Sequence, residues 1–380
     1  MRLLQEPACP GNRMTLPPKT IPQVVLGLET SCDETAAAVV RRGPDGAVEV
    51  LSSVIASQIT AHAPFGGVVP EIAARAHVES IDAIAAQALR EAGIGFDGLS
   101  GVAATAGPGL VGGVMVGLSF GKAIALARGL PLVAVNHLEG HAVSARLTAE
   151  VAYPFLLLLV SGGHCQLLAV EGIGACRRLG STLDDAAGEA FDKIAKTLGL
   201  PYPGGPALEA LAEGGDTARF QLPRMLLGRK DCDFSFSGLK TAAARLAETL
   251  STQAERRDLA ACVQTAIAAQ LAERSDRAMA VYSALHEGRL RFVVAGGVAA
   301  NRAVRDTLQA TARARGFAFT APPLAYCTDN AAMIALAGAE RLALGISDPL
   351  DAPARPRWPL DVAAAQANPI HVPGRKGAKA

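Results

Sequence analysis

The segment FLLLLVSGGHCQLLAV, residues 155–170, places two apolar runs on either side of a glycine turn at 161–163. Short runs rich in Leu and Val around such a turn are typical of a strand, a tight turn and a return strand. An earlier segment has the same plan, because apolar runs at 24–28 and 36–41 flank a polar turn at 30–34. The sequence therefore predicts that the second half of the chain restarts the pattern of the first.

A second repeated pattern lies further along each half. A strand at 101–106, a Gly-Pro-Gly turn and a helix at 111–128 are matched by a strand at 292–295, Gly296-Gly297 and a helix at 300–314. Alternating strands and helices of this kind predict an α/β fold, here with two related lobes and a ligand cleft between them. Additional predicted elements are a strand at 48–54, a strand at 132–135, helices at 71–91, 184–198, 254–287 and 327–344, and a rigid turn at 202–206.

The same patterns divide the chain into five parts. We expect a disordered N-terminal extension over 1–22, within which Met14 is an alternative start. The first lobe is then expected over 23–150, the second over 151–325, a C-terminal helix packing back at the lobe interface over 326–360, and a tail over 361–380.

Composition limits the classes of function. The 380 residues carry 36 Lys and Arg against 35 Asp and Glu, so the charge gives no general argument for binding nucleic acid. The seven cysteines are scattered, which predicts reduced thiols and a cytoplasmic location. Residues 1–22 lack the apolar core of a secretion signal, and the uncharged stretch 98–121 is broken by Pro108 and glycines, so we expect buried core and no membrane span.

Two histidines four residues apart suggest a metal site. On a helix, His137 and His141 would share one face, and Asp329 could add an oxygen ligand to the same divalent ion. A zinc peptidase motif would place its catalytic acid directly after the first histidine, where this chain has Leu138. Glu139 points to the other side of the helix and forms a capping box with Asn136 in our interpretation.

Acidic residues and glycines supply further candidates. Glu29, Asp33 and Glu34 could organise a metal, act as a general base or cap a turn, and acids beside Cys32 should raise the pKa of its thiol. Asp192 would by default be a solvated acid paired with a neighbouring lysine, Lys193 or Lys196. The glycines at 162–163, 204–205 and 296–297 could let backbone approach a phosphate, although neither a P-loop nor a Rossmann motif is present.

Nine motifs follow one another along the chain: ETSCDET (29–35), GGVVPE (66–71), TAGPGL (105–110), HLEGH (137–141), LVSGG (159–163), DAAGEAFDK (185–193), FSFSGLK (234–240), GGVAANR (296–302) and CTDN (327–330). With these motifs in this order, the chain resembles the bacterial tRNA adenosine threonylcarbamoyltransferase family (TsaD), once described as an O-sialoglycoprotein endopeptidase. The resemblance extends from about Val24 to Pro359 and is highly specific.

The resemblance implies a two-lobed actin-like ATPase fold, of the class shared by sugar kinases, Hsp70 and actin, with duplicated lobes. It also implies an acyltransferase. The enzyme would transfer the threonylcarbamoyl group of threonylcarbamoyl-AMP to the exocyclic amine of the adenosine adjacent to the anticodon, in tRNAs that read codons beginning with adenine, and would release AMP.

Residue by residue, the resemblance makes His137, His141 and Asp329 the ligands of one divalent metal per subunit, taken as Fe²⁺, with Zn²⁺ or Mg²⁺ also compatible. The cleft would hold threonylcarbamoyl-AMP, or ATP, ADP or AMP. We assign removal of the amine's proton to Asp33 or Glu34 as a hypothesis. The residues expected to bind the adenylate are Leu159, Val160, Ser161, Gly162, Gly163, Asp192, Gly205 and Asn301.

The resemblance also implies partners. These are tRNA, an inactive paralogue of the TsaB type, a small ATPase of the TsaE type, and a threonylcarbamoyl-AMP synthase as the upstream supplier. Three alternatives stay open at this point: a nucleotide-binding ATPase or kinase of the same fold, a zinc metallopeptidase, and a non-catalytic scaffold in a tRNA-modification complex. ATP hydrolysis without an acceptor would favour the ATPase or kinase. Peptide cleavage blocked by chelators would favour the peptidase, and metal binding without turnover would favour the scaffold.

Overall fold

A computed structural model describes residues 21–65, 67–288 and 290–367. The extension expected over 1–22 therefore lies almost wholly outside the described residues, as do Met14, Gly66 of the second motif and the basic end of the expected tail. The described part of that tail contains a short helix, Val362–Ala367.

The first sheet has five strands: β1 (Gln23–Glu29), β2 (Glu34–Arg42), β3 (Val48–Ser57), β4 (Gly101–Gly107) and β5 (Leu132–Asn136). Their order across the sheet is β3-β2-β1-β4-β5. The first three strands form an antiparallel meander, whereas β4 pairs parallel to β1 and β5 pairs parallel to β4.

The second sheet repeats this topology strand for strand. It contains β6 (Phe155–Val160), β7 (Cys165–Gly172), β8 (Ala175–Ser181), β9 (Arg291–Ala295) and β10 (Ala318–Thr320) in the order β10-β9-β6-β7-β8. Here too an antiparallel meander is followed by two parallel strands. The duplication predicted from the sequence is therefore present in the arrangement of the strands.

Eleven α-helices connect the strands in the described part of the chain: α1 (Ile59–His62), α2 (Pro70–Glu91), α3 (Val111–Arg128), α4 (His137–Val143), α5 (Ala187–Thr197), α6 (Gly204–Ala212), α7 (Ser237–Ala247), α8 (Gln253–Ser283), α9 (Arg302–Ala314), α10 (Ala331–Ala343) and α11 (Val362–Ala367). Short 3-10 turns lie at Ala63–Phe65, Phe96–Gly98, Ser144–Leu147, Gly297–Ala300 and Leu324–Tyr326.

Several helices begin later than the sequence predicted, because a capping side chain fixes the start. Asn301 accepts a hydrogen bond from Val304 N, so α9 starts after it and the preceding glycines form a 3-10 turn. Asn330 accepts one from Met333 N and starts α10 at Ala331 rather than at 327. The predicted rigid turn at 202–206 was wrong in its second half, where α6 begins at Gly204.

Each sheet is covered on both faces. Helices α2 and α3 pack on one face of the first sheet, and α10 packs on the other, against β1, β2 and β4. The second sheet has its larger core on the side of α5 to α9, while Leu138 and Ala142 of α4 pack on its opposite face. Each lobe thus contributes a helix to the other. Helix α4 follows β5 of the first sheet and packs on the second sheet, whereas α10 follows β10 of the second sheet and packs on the first.

Helix α3 is long and apolar enough to cross a membrane by length and composition, with a mean hydropathy of 1.3 and 39% of that window buried. Its buried side chains Leu118 and Ile124 belong to the same core cluster as Ala104 of β4. Packing in the core therefore accounts for the buried part of its apolar surface. The six cysteines of the described residues are free thiols, as expected.

The contact between α10 and β1 requires a glycine at position 27. A Cβ atom added there would lie 2.6 Å from Ala335 N and would also overlap Ala331 O. Gly27→Ala is therefore expected to lower the free energy of unfolding by about 2 kcal/mol, because the helix must move away from the strand. Urea denaturation measures the change.

Gly95→Ala is the matched control for this substitution. Gly95 has an ordinary φ of −95°, and an added Cβ would meet nothing within 4 Å. Equal denaturation midpoints for Gly27→Ala and the unaltered protein would contradict the close packing of α10 on β1.

Candidate metal centre and adjoining cleft

The histidine helix begins at the end of β5 because Asn136 caps it. Asn136 Oδ1 accepts a hydrogen bond from Leu138 N at 2.9 Å, and Asn136 Nδ2 donates to Trp358 O at 2.9 Å. The predicted capping box with Glu139 was wrong. Glu139 instead accepts from Gly174 N at 2.6 Å and pairs with Arg341 at 2.6 Å, on the side of the helix away from the histidines.

A close crossing of α4 and α10 brings the third acid to the histidines. A Cβ at Gly140 would lie 2.7 Å from Ile334 Cδ1 and 3.1 Å from Met333 Cγ, so a larger residue would push the helices apart. Asp329 lies two residues before α10, on the turn that Asn330 closes. The crossing therefore sets the position of Asp329 relative to α4.

His137, His141 and Asp329 converge as the sequence suggested. Asp329 Oδ1 lies 3.0 Å from His141 Nε2 and 3.5 Å from His137 Nε2. One possible ligand atom from each residue lies within 4.8 Å of the other two. Two imidazole nitrogens and a carboxylate oxygen at this spacing are a donor set that can hold a divalent metal ion.

Glu29 orients one of these histidines from behind. Its Oε2 lies 2.9 Å from His137 Nδ1 and accepts a hydrogen bond from Thr105 Oγ1 at 2.6 Å, while its Oε1 accepts from Ser31 N at 2.5 Å. A carboxylate that accepts the Nδ1 proton leaves Nε2 to bind a metal beside Asp329, and metal-binding histidines commonly have such a partner. The residues present therefore fit a metal.

The charges at the centre are strongly coupled. Burial alone would lower the pKa of His137, but Asp329 and Glu29 outweigh it and raise that pKa to about 9. Burial would raise the pKa of Asp329 and of Glu29, yet the neighbouring His137 lowers both. Two buried carboxylates thus require positive charge between them, which a proton on His137 supplies and a divalent ion would supply more fully.

A second group of acids lies on the turn at 30–34, called here the acid turn. Asp33 is buried, and Glu34 begins β2. Burial, Asp329 and Asp33 together raise the pKa of Glu34 to about 9. Burial and the same negative charges raise the pKa of the Cys32 thiol, as the sequence indicated, so Cys32 is unsuited to act as a nucleophile.

The glycine turn of the second lobe occupies the corresponding place after β6. Ser161 N donates to His164 O at 2.8 Å, and Gly162 and Gly163 are exposed, with nothing within 4 Å of an added Cβ. Leu159 and Val160, in contrast, are fully buried within β6. Any role of these two residues toward a ligand therefore lies in placing the turn that follows them.

Three further candidate residues lie on helices near this turn. Asp192 Oδ1 accepts hydrogen bonds from Gly204 N at 2.9 Å and Gly205 N at 3.3 Å, so its predicted pairing with a lysine was wrong. Lys193 pairs with Asp185 and Glu189 instead.

Asn301 caps α9 and donates from Nδ2 to Gln264 Oε1 at 2.9 Å.

Electrostatic interactions show that the acid turn faces the second lobe. Burial raises the pKa of Asp192, and the charge of Asp33 adds to the increase despite the two N–H groups on that carboxylate. Burial also raises the pKa of Tyr202, with further contributions from Asp33 and Asp192. The acid turn, α5 and the residues before α6 are therefore close neighbours.

Sequence reasoning did not single out Thr105, and it left the role of Glu29 open. Both lie in segments already noted, at the end of β1 and within β4. Strands β1 and β4 are parallel neighbours, so their carboxyl ends meet at one edge of the sheet. This pairing is the signal from which contact between the two side chains could have been predicted.

Glu29→Gln should lower the affinity for a divalent ion about tenfold, because the amide no longer supplies negative charge to His137 Nδ1. Competition for Zn²⁺ with a chromophoric chelator measures the affinity. The control is Glu49→Gln, since Glu49 is 61% exposed and pairs only with Arg41 among the described residues. Unchanged affinity in Glu29→Gln would rule out the orienting role.

One known protein family matches most of this chain. The sequence model of the family described as tRNA N6-adenosine threonylcarbamoyltransferase (TsaD) matches residues 49–336. A relative of that name from Caulobacter vibrioides is 78% identical over 364 residues, which cover 96% of this chain and 99% of the relative. Another, from Maricaulis maris, is 59% identical over 94% of this chain and 96% of its own length.

Solved structures resemble the fold at much lower identity. HypF from T. kodakarensis matches with a TM-score of 0.56 and 13% identity, over 89% of this chain and 49% of HypF. Full-length HypF in a phosphate- and nucleotide-bound form matches with a TM-score of 0.55 and 12% identity, over 88% of this chain and 48% of that chain. The predicted two-lobed actin-like fold is confirmed. By sequence, the chain belongs to the TsaD family of tRNA N6-adenosine threonylcarbamoyltransferases.

Proposed function

We propose that this chain transfers the threonylcarbamoyl group from threonylcarbamoyl-AMP to the exocyclic amine of the adenosine adjacent to the anticodon, in tRNAs that read codons beginning with adenine, and releases AMP. The observation that carries the proposal is the convergence of His137, His141 and Asp329 beside the acid turn. A metal-binding donor set and a group of proton acceptors thus lie in one cleft, together with an exposed glycine turn.

The adenylate lies in the cleft on the side of the second lobe. Backbone N–H groups of Ser161, Gly162 and Gly163 are suited to its phosphate, because exposed glycines let the main chain approach an anion. We assign Asp192, Gly205 and Asn301 to the same ligand, while Leu159 and Val160 hold the turn in the sheet. ATP, ADP or AMP would occupy the same place.

A divalent ion would supply positive charge to a site rich in carboxylates. Glu29, Asp33, Glu34 and Asp329 surround a site that must also accept an anionic adenylate. One divalent ion per subunit, held by His137, His141 and Asp329, would polarise the carbamoyl or phosphate oxygen of the donor. Imidazole and carboxylate ligands suit Fe²⁺ and Zn²⁺. The family resemblance favours Fe²⁺, and Mg²⁺ is also possible.

The protein's own residues provide position and proton transfer. An adenine exocyclic amine is a weak nucleophile, so the donor carbonyl must be held in line with it. Asp33 or Glu34 accepts the amine's proton during attack. Burial, Asp329 and Asp33 raise the pKa of Glu34 to about 9, so the pair holds one proton in the hydrogen bond between its carboxyl groups near neutral pH. A divalent ion beside Asp329 would lower that pKa and free the second carboxylate to accept a proton.

Partners complete the proposal. On α3, Val111, Met115 and Leu126 are 50%, 54% and 70% exposed, and Val78 of α2, a helix that packs on α3, is 64% exposed. An apolar surface of this kind is suited to a protein partner, which we propose is the TsaB-type paralogue. A TsaE-type ATPase takes part in the cycle, a threonylcarbamoyl-AMP synthase supplies the donor, and the reaction takes place in the cytoplasm without a membrane.

Reconstitution tests the function directly. The chain, the synthase, both partner proteins, threonine, bicarbonate, ATP and unmodified tRNA should yield threonylcarbamoyl-adenosine, detected by nucleoside mass spectrometry. His141→Ala should reduce the product at least about 100-fold, since a ligand and its metal are lost. His286→Ala, on the far end of the second lobe, should leave it unchanged. ATP hydrolysis without product would favour the alternative, an ATPase or kinase-like scaffold in a tRNA-modification complex.

The acid turn has its own test. Asp33→Asn and Glu34→Gln keep the size of each side chain and remove its basicity, so kcat should fall by roughly 10²–10⁴-fold. Binding of the adenylate, measured by calorimetry with a non-hydrolysable analogue, should persist. Asp45→Asn, at the exposed turn between β2 and β3, is the control. Normal turnover in both acid-turn variants would refute the assignment of the base.

A further inference from the structure

Three polar side chains that take no part in the metal centre form a continuous buried chain behind the acid turn. His62, Gln58 and His77 are 0%, 7% and 0% exposed. His62 Nε2 lies 3.2 Å from Gln58 Oε1, and Gln58 Nε2 lies 3.1 Å from His77 Nδ1. We call these three residues the polar chain.

Both ends of the polar chain are backbone groups, so the direction of every hydrogen bond is fixed. Val69 N can only donate, and it donates to His62 Nδ1 at 3.3 Å. Cys32 O can only accept, so His77 Nε2, at 3.2 Å, carries the proton. Each neutral imidazole then donates from Nε2 and accepts at Nδ1, which matches the orientation of the Gln58 amide between them.

The polar chain holds the acid turn at successive carbonyl groups. His77 donates to Cys32 O, and Gln58 N donates to Asp33 O at 3.0 Å. On the other side of the acids, Thr35 Oγ1 lies 2.8 Å from His77 Nδ1, where it and Gln58 Nε2 share the single lone pair of that nitrogen. His77 is therefore bonded to the main chain just before Asp33 and to a side chain just after Glu34.

Packing leaves His77 little freedom to move. An added Cβ at Gly113 of α3 would lie 3.2 Å from His77 Cδ2 and would overlap Thr30 O, so ring, helix and acid turn are in close contact. Apolar side chains could fill this space. The three polar groups that occupy it instead each need a hydrogen-bond partner, because an unpaired buried polar group is costly. A fully paired and directional chain rigidifies what it contacts, and what it contacts here is the acid turn.

We propose that His77 is a positioning residue for the transfer reaction, which fixes the main chain of the acid turn through Cys32 O and so sets the reach of the Asp33 and Glu34 carboxyl groups. The inference rests on the proposed function, because it assumes that these acids accept the proton of the incoming amine. Gln58 and His62 act through His77, by fixing its tautomer and its orientation.

The test uses the full reconstitution and four variants. His77→Ala removes the donor to Cys32 O and the acceptor for Thr35. His77→Gln restores one donor and one acceptor, with its amide nitrogen near the place of Nε2. Gln58→Ala breaks the chain one step earlier. Leu89→Ala is the control, because Leu89 is a buried residue of the same helix that packs away from the polar chain.

We expect kcat of His77→Ala to fall about 10–100-fold, the range typical of losing a residue that orients a reacting group and of small displacements of reacting groups. KM for tRNA, affinity for the adenylate analogue and metal content should stay within about twofold, since His77 is fully buried and is not one of the candidate metal ligands. His77→Gln should recover most of kcat. Combining His77→Ala with Gln58→Ala should cost little more than His77→Ala alone, because both act on one chain.

Several outcomes would overturn the inference: wild-type kcat in His77→Ala, an equal loss of kcat in Leu89→Ala, or no recovery in His77→Gln. If His77→Ala does not fold, the comparison of His77→Gln and Gln58→Ala with wild type decides in the same way. Absence of product from the wild-type chain would refute the proposed function instead, and the inference would fall with it.

Discussion

The close crossing of α4 and α10 at Gly140 is the constraint on which the site depends. Each helix follows the last strand of its own half and packs on the sheet of the other half, so the crossing joins the two lobes. It also places His137 and His141 on one helix against Asp329, which precedes the other. The fold and the candidate metal centre therefore follow from the same contact between two helices.

The crossing concentrates negative charge that the protein alone balances poorly. Glu29 and Asp329 lie on opposite sides of His137, and burial together with the charges of Asp329 and Asp33 raises the pKa of Glu34. Burying carboxylates is costly unless positive charge accompanies them. In the proposed reaction, a cation held by His137, His141 and Asp329 would both offset these carboxylates and favour an anionic donor.

Sequence reasoning succeeded where the signal was local and failed where it was long-range. The bounds of α3 and β6 were predicted correctly, because Gly129 ends α3 in the left-handed conformation and Ser161 begins a turn. The three metal-site residues could be named from helical spacing and a family resemblance. The partners of Asp192 and Glu139 could not, since Gly204 and Arg341 approach them only through tertiary packing.

The duplicated topology also explains why the two halves differ in chemistry. The turn after β1 carries acids and the turn after β6 carries glycines, although both leave the first strand of an equivalent sheet. In the proposed reaction, one turn accepts a proton while the other accommodates a phosphate. Likewise, the segment after β5 provides two histidines and that after β10 provides one aspartate. Neither half holds a complete centre, so the lobes must stay together for a metal to be bound.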